Sequence, residues 1–114
     1  TRSLRQKALI MSLERYEILL PLKYNDGTPV EPEKFRQAKI ELVEKFGAIT
    51  VEPQSVHGIW THGSKEYADE LIRFIIDIET TPETEKFFKE FKEKLKARFQ
   101  QIEIWITAYP IRLI

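Results

Sequence analysis

Two histidines, five residues apart, are the side chains of this chain best suited to hold a metal ion or to move a proton. His57 and His62 flank Trp60, and the carboxylates of Glu66 and Asp69 follow closely. Imidazole and carboxylate groups are common zinc ligands and common general acids and bases. A spacing of five, however, puts two side chains on opposite faces of a strand, so they would share a metal only if the chain bends between them. The spacing therefore favours exposed loop histidines, and we predict neither a metal site nor a cofactor.

The segment around these histidines, residues 56–67, has the composition of a recognition loop. It places Trp60 between two glycines, and loops held on a rigid scaffold often carry binding residues. The candidate contact residues that this segment contributes are His57, Trp60, His62 and Tyr67.

A second set of candidates consists of charged and aromatic side chains on predicted strands. Arg73 and Asp77 lie four residues apart on one strand and therefore share a face, and Tyr109 lies on the last strand. In an enzyme, Asp77 would act as a general base in a cleft beside Arg73 and Tyr109. We favour the simpler interpretation that Asp77 is one half of an ion pair. The chain has neither a glycine-rich phosphate loop nor the elbow that holds a nucleophilic serine, and we therefore expect a protein that is not an enzyme.

The composition excludes several classes of partner. The 114 residues carry 18 basic and 18 acidic side chains, and a zero net charge creates no field that would attract nucleic acid or an anionic membrane. The absence of cysteine excludes disulfides and thiolate zinc sites. No apolar run approaches the roughly 18 residues that a membrane-spanning helix needs. We expect a cytoplasmic bacterial protein without nucleic-acid or membrane partners.

The candidate residues must be positioned by elements whose hydrophobic period changes along the chain. Hydrophobic residues recur every two positions in the first, third, fourth and sixth segments, and at helical spacing in the second and fifth. This predicts the order β-α-β-β-α-β. This order predicts an α+β fold, the ferredoxin-like sandwich, with a four-stranded antiparallel sheet in the strand order 4-1-3-2 and two helices on one face. The predicted domain spans residues 13–114.

Local signals place the ends of the predicted elements. The strands are expected at about 13–24, at about 49–52 with a resumption at 56–60, at about 69–79, and from near 102 onward. Pro32 and Pro82 are expected to begin the helices, where the missing N–H donor of proline costs nothing. Gly47 is expected to end the first helix and Thr81 to cap the second. In the last strand, the residues expected to face the helices are Ile102, Ile104, Ile106 and Ala108.

The face of the sheet without helices is the part of the predicted fold that bears on function. Its predicted lining is Glu17, Leu19, Arg73, Ile75, Asp77, Glu103, Trp105, Thr107 and Tyr109. Exposed apolar area of this kind usually marks an interface or a ligand site. We favour packing against a second copy in a homo-oligomer, most simply a dimer, which acts as a binding or regulatory module for a small molecule or a protein. The alternatives are a small-molecule enzyme of the dimeric α+β barrel type and stacking on RNA, which the zero net charge disfavours.

An N-terminal extension, residues 1–12, precedes the predicted domain. Residues 1–10 contain three basic side chains and no acidic one, and the only methionine is Met11. We favour a native start at Met11. The alternative is a short basic helix that docks on a partner.

Several short runs resemble a known group of sequences. They are Glu14–Leu22, Phe46–Ala48, Gly58–Trp60 and Ile104–Tyr109. On these runs the chain resembles a family of small uncharacterised bacterial proteins, found particularly in cyanobacteria. The resemblance implies a ferredoxin-like fold, a bacterial cytosolic origin and a domain that stands alone, and it assigns no catalytic or binding residue.

Overall fold

The computed structural model describes the backbone of residues 13–114 and their side chains, except those of residues 53–57, 62, 67 and 68. In chain order the elements are β1 (Leu13–Pro21), α1 (Pro32–Phe46), β2 (Thr50–His62), β3 (Lys65–Glu79), α2 (Pro82–Arg98) and β4 (Trp105–Pro110). The predicted extension, with Met11, lies outside the described residues. No helix in the described part of the chain is long and apolar enough to cross a membrane.

The strands form one antiparallel sheet in the order β2-β3-β1-β4. This is the predicted order read from the opposite edge, and the prediction of an α+β fold with two helices and an antiparallel sheet is confirmed. Strand β1 pairs with β3 from Leu13 to Pro21 and with β4 from Glu14 to Leu19. It ends at Pro21 rather than at Tyr24 as predicted, since proline cannot donate to a ladder. Because register fixes which residues stand side by side, β1 decides the face on which its neighbours' side chains lie.

The core lies between the sheet and the helices and is built from alternate strand residues. Along β1, Tyr16, Ile18 and Leu20 are buried, whereas the residues between them are half-buried. Strand β3 contributes Phe74 and Ile76 to the same side. The helices meet them with residues spaced three or four apart, which are Ala38, Leu42, Phe88, Phe91 and Leu95. The helices therefore cover the face to which the even-numbered residues of β1 and β3 point.

Aromatic stacking attaches α2 to the central strand. The rings of Tyr16 and Phe88 are stacked with centroids 4.0 Å apart, and the ring of Phe46 on α1 lies parallel to that of Phe88 at 5.4 Å. Such pairs contribute roughly 0.5–1.5 kcal/mol beyond the burial of their area. Phe88 thus contacts β1 and α1 at once and holds both helices on one face.

The helix ends follow their predicted signals. Gly47 has a φ of 87°, and its N–H donates to the carbonyl of Val43 at 2.7 Å, which is the left-handed cap that glycine favours. At the start of α2, the hydroxyl oxygen of Thr81 accepts a hydrogen bond from the N–H of Thr84 at 3.0 Å. Both predicted ends are confirmed.

The fourth strand differs from the prediction at its start. It begins at Trp105 rather than near Ile102, because α2 is followed by a turn in which Gln100 has a φ of 55°. The residues between this turn and Trp105 do not belong to a strand, and the side chain of Ile102 is 88% exposed. The expected packing of Ile102 against the helices is therefore wrong, whereas Ile104 belongs to the core as expected.

Strands β2 and β3 extend further than predicted. They continue to His62 and Lys65, where Gly63, with a φ of 66°, closes the turn. The register shifts between Glu52 and Val56, which is the point at which the predicted strand was expected to be interrupted. The segment predicted as a recognition loop is therefore the end of a two-stranded ribbon.

The assignment of the core predicts how two substitutions change the free energy of unfolding. Phe74 is fully buried, so F74A should lower it by about 3–5 kcal/mol through the lost burial and the cavity left behind. Ile102→Ala should change it by no more than about 0.5 kcal/mol, since Ile102 is exposed. Urea unfolding followed by circular dichroism measures both. Comparable losses in the two variants would show that Ile102 packs against the helices after all.

Candidate functional site on the uncovered sheet face

The face of the sheet opposite the helices carries the odd-numbered residues of the three strands β1, β3 and β4. This surface, the open face, comprises Arg15, Glu17, Leu19, Arg73, Ile75, Asp77, Trp105, Thr107 and Tyr109. Arg15, for example, stands between Asp77 on β3 and Tyr109 on β4. The register thus brings together four residues that were predicted from sequence as site candidates, namely Arg73, Asp77, Trp105 and Tyr109.

Glu103, which was predicted to lie on this face, does not. Its carboxylate contacts the ammonium group of Lys92 on α2 at 2.9 Å. This hydrogen bond is the main reason why the pKa of Glu103 is lowered from its ordinary value. The prediction is wrong because Glu103 precedes β4, so the alternation of a strand does not apply to it.

Asp77 is one half of an ion pair, as favoured from the sequence, but its partner is Arg15 rather than Arg73. The guanidinium group donates from Nε to Oδ1 at 2.7 Å and from Nη2 to Oδ2 at 3.0 Å. Such a two-point contact is stronger and more directional than a single hydrogen bond. Because both carboxylate oxygens are engaged, the geometry favours a structural role for Asp77 over that of a general base.

Arg73 faces a different pair of carboxylates. Its Nη1 lies 3.1–3.2 Å from the carboxylate oxygens of Glu52 on β2, and its Nε lies 3.7 Å from Oε2 of Glu17 on β1. Arg73, on β3, thus contacts a carboxylate on each of the two neighbouring strands, β2 and β1. The four charged residues of the open face, Arg15, Asp77, Arg73 and Glu17, therefore all have ionic partners, either on this face or, for Arg73, also in Glu52 of the neighbouring strand.

Tyr109 connects β4 to this charged row. Its hydroxyl donates to Oε1 of Glu17 at 2.8 Å. The contact raises the pKa of Tyr109, because the carboxylate stabilises the protonated phenol; burial acts in the same direction, and the nearby Arg15 opposes it. Glu17, on β1, thus contacts Tyr109 on β4 and Arg73 on β3.

The aromatic side chains of the open face remain accessible. Trp105 is 67% exposed and Tyr109 is 41% exposed. The chain after β4 adds Leu113 and Ile114, which are also exposed, and the N–H of Ile111 donates to the carbonyl of Leu13 at 3.1 Å, which holds the start of this tail against β1. The β4 side of the open face therefore ends in an apolar rim.

The other exposed tryptophan lies on the ribbon at the far side of the sheet. Trp60 is 46% exposed, and its indole N–H donates to Oδ2 of Asp69 at 2.7 Å. Its neighbour Ile59 is 71% exposed. Because β1 pairs with β3 only from Leu71 onward, no third strand from residues 13–114 pairs with this part of the ribbon, and two-stranded ribbons are only marginally stable alone. With β2 and β4 at opposite edges, Trp60 and Trp105 lie about 14 Å or more apart within one chain.

The remaining candidates belong to the same ribbon. The backbone of His57 and His62 lies in β2 and that of Tyr67 in β3, but the side chains of all three lie outside the described residues. Their predicted roles in contact therefore stay predictions. Among the side chains that the structure does describe, no three His, Asp or Glu residues are grouped in a way that would hold a metal ion.

A cavity of about 300 Å³ lies elsewhere, on the helix side of the sheet. It is lined by Glu14, Tyr16, Thr80, Glu85, Phe88, Lys89, Lys92, Ile106 and Ala108. None of the site residues predicted from sequence lines it. The periodic pattern could not reveal it, because the cavity forms between a strand edge and a helix flank that are distant in sequence.

No protein-family model and no curated protein sequence matches this chain. Solved structures do match. The fold is similar to that of the divalent cation tolerance protein CutA1 from Thermus thermophilus, with a TM-score of 0.60 and 20% identity over 90% of this chain and 86% of that one. It is also similar to the periplasmic divalent cation tolerance protein CutA from Archaeoglobus fulgidus, with a TM-score of 0.59 and 18% identity over 90% and 86%.

A protein of another kind has a similar fold. A phage SAM lyase in complex with S-methyl-5'-thioadenosine matches with a TM-score of 0.66 and 13% identity over 90% of this chain and 92% of that one. At these identities the likeness concerns the fold alone. These structures agree with the α+β fold expected from the sequence, and they assign no family to this chain.

The hydrogen bond between Tyr109 and Glu17 predicts a measurable pKa. Tyr109 should titrate above its ordinary value, and Glu17→Gln should lower its pKa toward that value, because the carboxylate that favours the protonated phenol is gone. NMR of protein with ¹³C-labelled tyrosine rings follows each phenol separately. Glu44→Gln, on the exposed side of α1, is the matched control and should leave the titration unchanged.

The sign of the linked stability follows from the raised pKa. The contribution of Tyr109 to the free energy of unfolding is fully present below the pKa of tyrosine in the unfolded chain. It is lost as the pH rises through the pKa of Tyr109 in the folded protein. A Tyr109 that titrates identically in wild type and Glu17→Gln would mean that the two side chains do not interact in solution.

Proposed function

We propose that this protein is a small homo-oligomeric binding module without enzymatic activity, assembled through the open face. The same proposal assigns the fold to the ferredoxin-like class and places the protein in a bacterial cytoplasm. The observation that carries it is the exposure of Trp105, two-thirds of which is accessible on a sheet face that neither α1 nor α2 covers.

The energetics of this exposure support association. A buried tryptophan removes roughly 150–250 Å² from water, at about 25 cal/mol per Å². Covering the exposed part of Trp105 would therefore contribute about 3 kcal/mol per copy. Tyr109 lies on the same strand and the same face, so a partner that covers the open face of β4 also gains from its ring.

The charges of the open face support the same proposal. Arg15 pairs with Asp77, and Arg73 pairs with Glu17 and Glu52, so these groups do not need a counter-ion from a partner. Paired charges are less costly to cover than isolated ones. The zero net charge of the chain also does little to oppose contact between identical copies.

The two-stranded end of the ribbon is the second element that supports association. Among the described residues it pairs with no third strand, and it exposes Ile59 and Trp60. Packing against another copy would stabilise a ribbon that is marginal alone. Within this proposal Trp60 and Trp105 are contact residues at opposite edges of the sheet, and any bound ligand is a small molecule or a protein held by the assembly.

The proposal predicts how one substitution changes the mass of the particle. Wild type should be a homo-oligomer at micromolar concentration, and Trp105→Glu should shift it to a monomer, because a charge would have to be buried in the contact. Light scattering coupled to size exclusion measures the mass, and circular dichroism checks that the variant is folded.

Ile40→Glu is the matched control, since Ile40 is also apolar and exposed, at 49%, but lies on α1. It should leave the mass unchanged. A wild-type protein that is strictly monomeric at micromolar concentration would contradict the proposal, and so would a Trp105→Glu variant that keeps the mass of wild type.

A further inference from the structure

The turn that joins β1 to α1 contains a peptide bond that is prone to rearrange. Asp26 is the only aspartate or asparagine of the chain that a glycine follows. Because glycine has no side chain to shield its nitrogen, the backbone nitrogen of Gly27 can attack the carboxyl carbon of Asp26. The side chain of Asp26 is exposed, and among the described residues a Cβ added at Gly27 would contact no other atom within 4 Å. The turn therefore has the space that the rearrangement needs.

The rearrangement consumes and releases nothing but water. The nitrogen of Gly27 forms a bond to Cγ of Asp26, and the carboxyl hydroxyl leaves as water with the amide proton. The resulting five-membered succinimide ring then takes up one water molecule. Opening at one carbonyl restores aspartate, whereas opening at the other yields isoaspartate, in which the main chain runs through Cβ and Cγ. The mass and the oxidation state of the chain are unchanged.

Hydrogen bonds within the turn hold both reacting groups apart. Oδ1 of Asp26 accepts from the N–H of Thr28 at 2.9 Å and from its hydroxyl at 2.6 Å. The N–H of Gly27 donates to the carbonyl of Tyr24 at 2.9 Å. The attacking nitrogen and the carboxyl group each have a different partner, so the ring closes only when these contacts open.

The contacts of Thr28 also keep the carboxyl group ionised. They lower the pKa of Asp26, first through the hydroxyl of Thr28 and then through its N–H. The oxygen of a carboxyl group leaves as water only after it is protonated, so a lowered pKa reduces the population that reacts. Thr28 therefore opposes the rearrangement both through the position of the carboxyl group and through its protonation.

We propose that Asp26 is a site of spontaneous isoaspartate formation, and that the hydroxyl of Thr28 limits its rate in the folded protein. The turn around it is tightly closed, since the N–H of Tyr24 donates to the carbonyl of Thr28 at 2.8 Å and Lys23 forms a β-bridge with Pro29. Isoaspartate lengthens the main chain within this turn, so it disrupts these contacts and loosens the connection between β1 and α1.

Incubation of the purified chain at mildly acidic pH, followed by digestion with trypsin, tests the site. The tryptic peptide 24–34 contains the bond, and the endoprotease that cleaves before aspartate does not cleave before isoaspartate. Isoaspartate should accumulate at Asp26 about tenfold faster in urea than in the folded protein, as expected when a hydrogen bond to a charged group is lost. Asp69 and Asp77 should remain unchanged, because larger residues follow them.

Variants of Thr28 identify the restraint. Thr28→Val removes the hydroxyl but keeps the N–H, and it should raise the rate in the folded protein about threefold while leaving the rate in urea unchanged. Thr28→Ser keeps the hydroxyl and should retain the rate of wild type. Thr61→Val is the matched control, since Thr61 is also exposed but lies on β2, and it should change neither rate. Circular dichroism shows whether each variant is folded.

Three results would overturn the inference. They are an absence of isoaspartate at Asp26 even in urea, equal rates in folded and unfolded wild type, and a folded Thr28→Val variant that reacts no faster than wild type. Because the reaction takes place within one turn of one chain, none of these results bears on the assembly through the open face.

Discussion

The antiparallel register of β1 between β3 and β4 is the constraint on which the rest of the structure depends. It puts Ile18 beside Phe74 and Ile106, and Leu19 beside Arg73 and Trp105. A slip of one residue would exchange the two faces and expose the core. The stack of Tyr16 on Phe88 holds α2 on the even-numbered side, so α1 and α2 both leave the odd-numbered side uncovered.

Two surfaces of different character result from this arrangement. On the open face the charged side chains are paired within the chain. The accessible surface that remains is aromatic and aliphatic, and Trp105 is more exposed there than Tyr109. Such a surface favours contact driven by apolar burial rather than by charge. On the helix side, α2 leaves part of β4 uncovered, and the resulting cavity is lined by charged side chains of both signs. The first surface suits a macromolecular contact driven by apolar burial, and the second offers no comparable apolar area.

The order of elements and the face of most residues could be predicted from the sequence, because periods of two and of 3.6 residues report directly on local geometry. Gly47 and Thr81 end their helices for equally local reasons. The prediction failed at Ile102 and Glu103, where strand alternation was extended into the residues that precede β4. It also missed the pairing of Asp77 with Arg15, which are 62 residues apart and meet only through the register of two strands. Arg15 has the same parity as Glu17, and this was the one signal that could have placed it on the open face.

The structural neighbours support the same distinction between the order of elements, which local patterns predict, and the surface contacts, which they do not. CutA1 proteins and a phage SAM lyase have similar folds at 13–20% identity, so the arrangement of elements tolerates very different surfaces.

The central claim is that copies of this chain associate through the open face. Fluorine NMR of protein labelled with 5-fluorotryptophan tests it most directly, since the chain has only two tryptophans. As the concentration and the particle mass rise, the Trp105 resonance should lose its sensitivity to the exchange of H₂O for D₂O. A Trp105 resonance that keeps its full sensitivity while the mass increases would show that the copies meet through another surface.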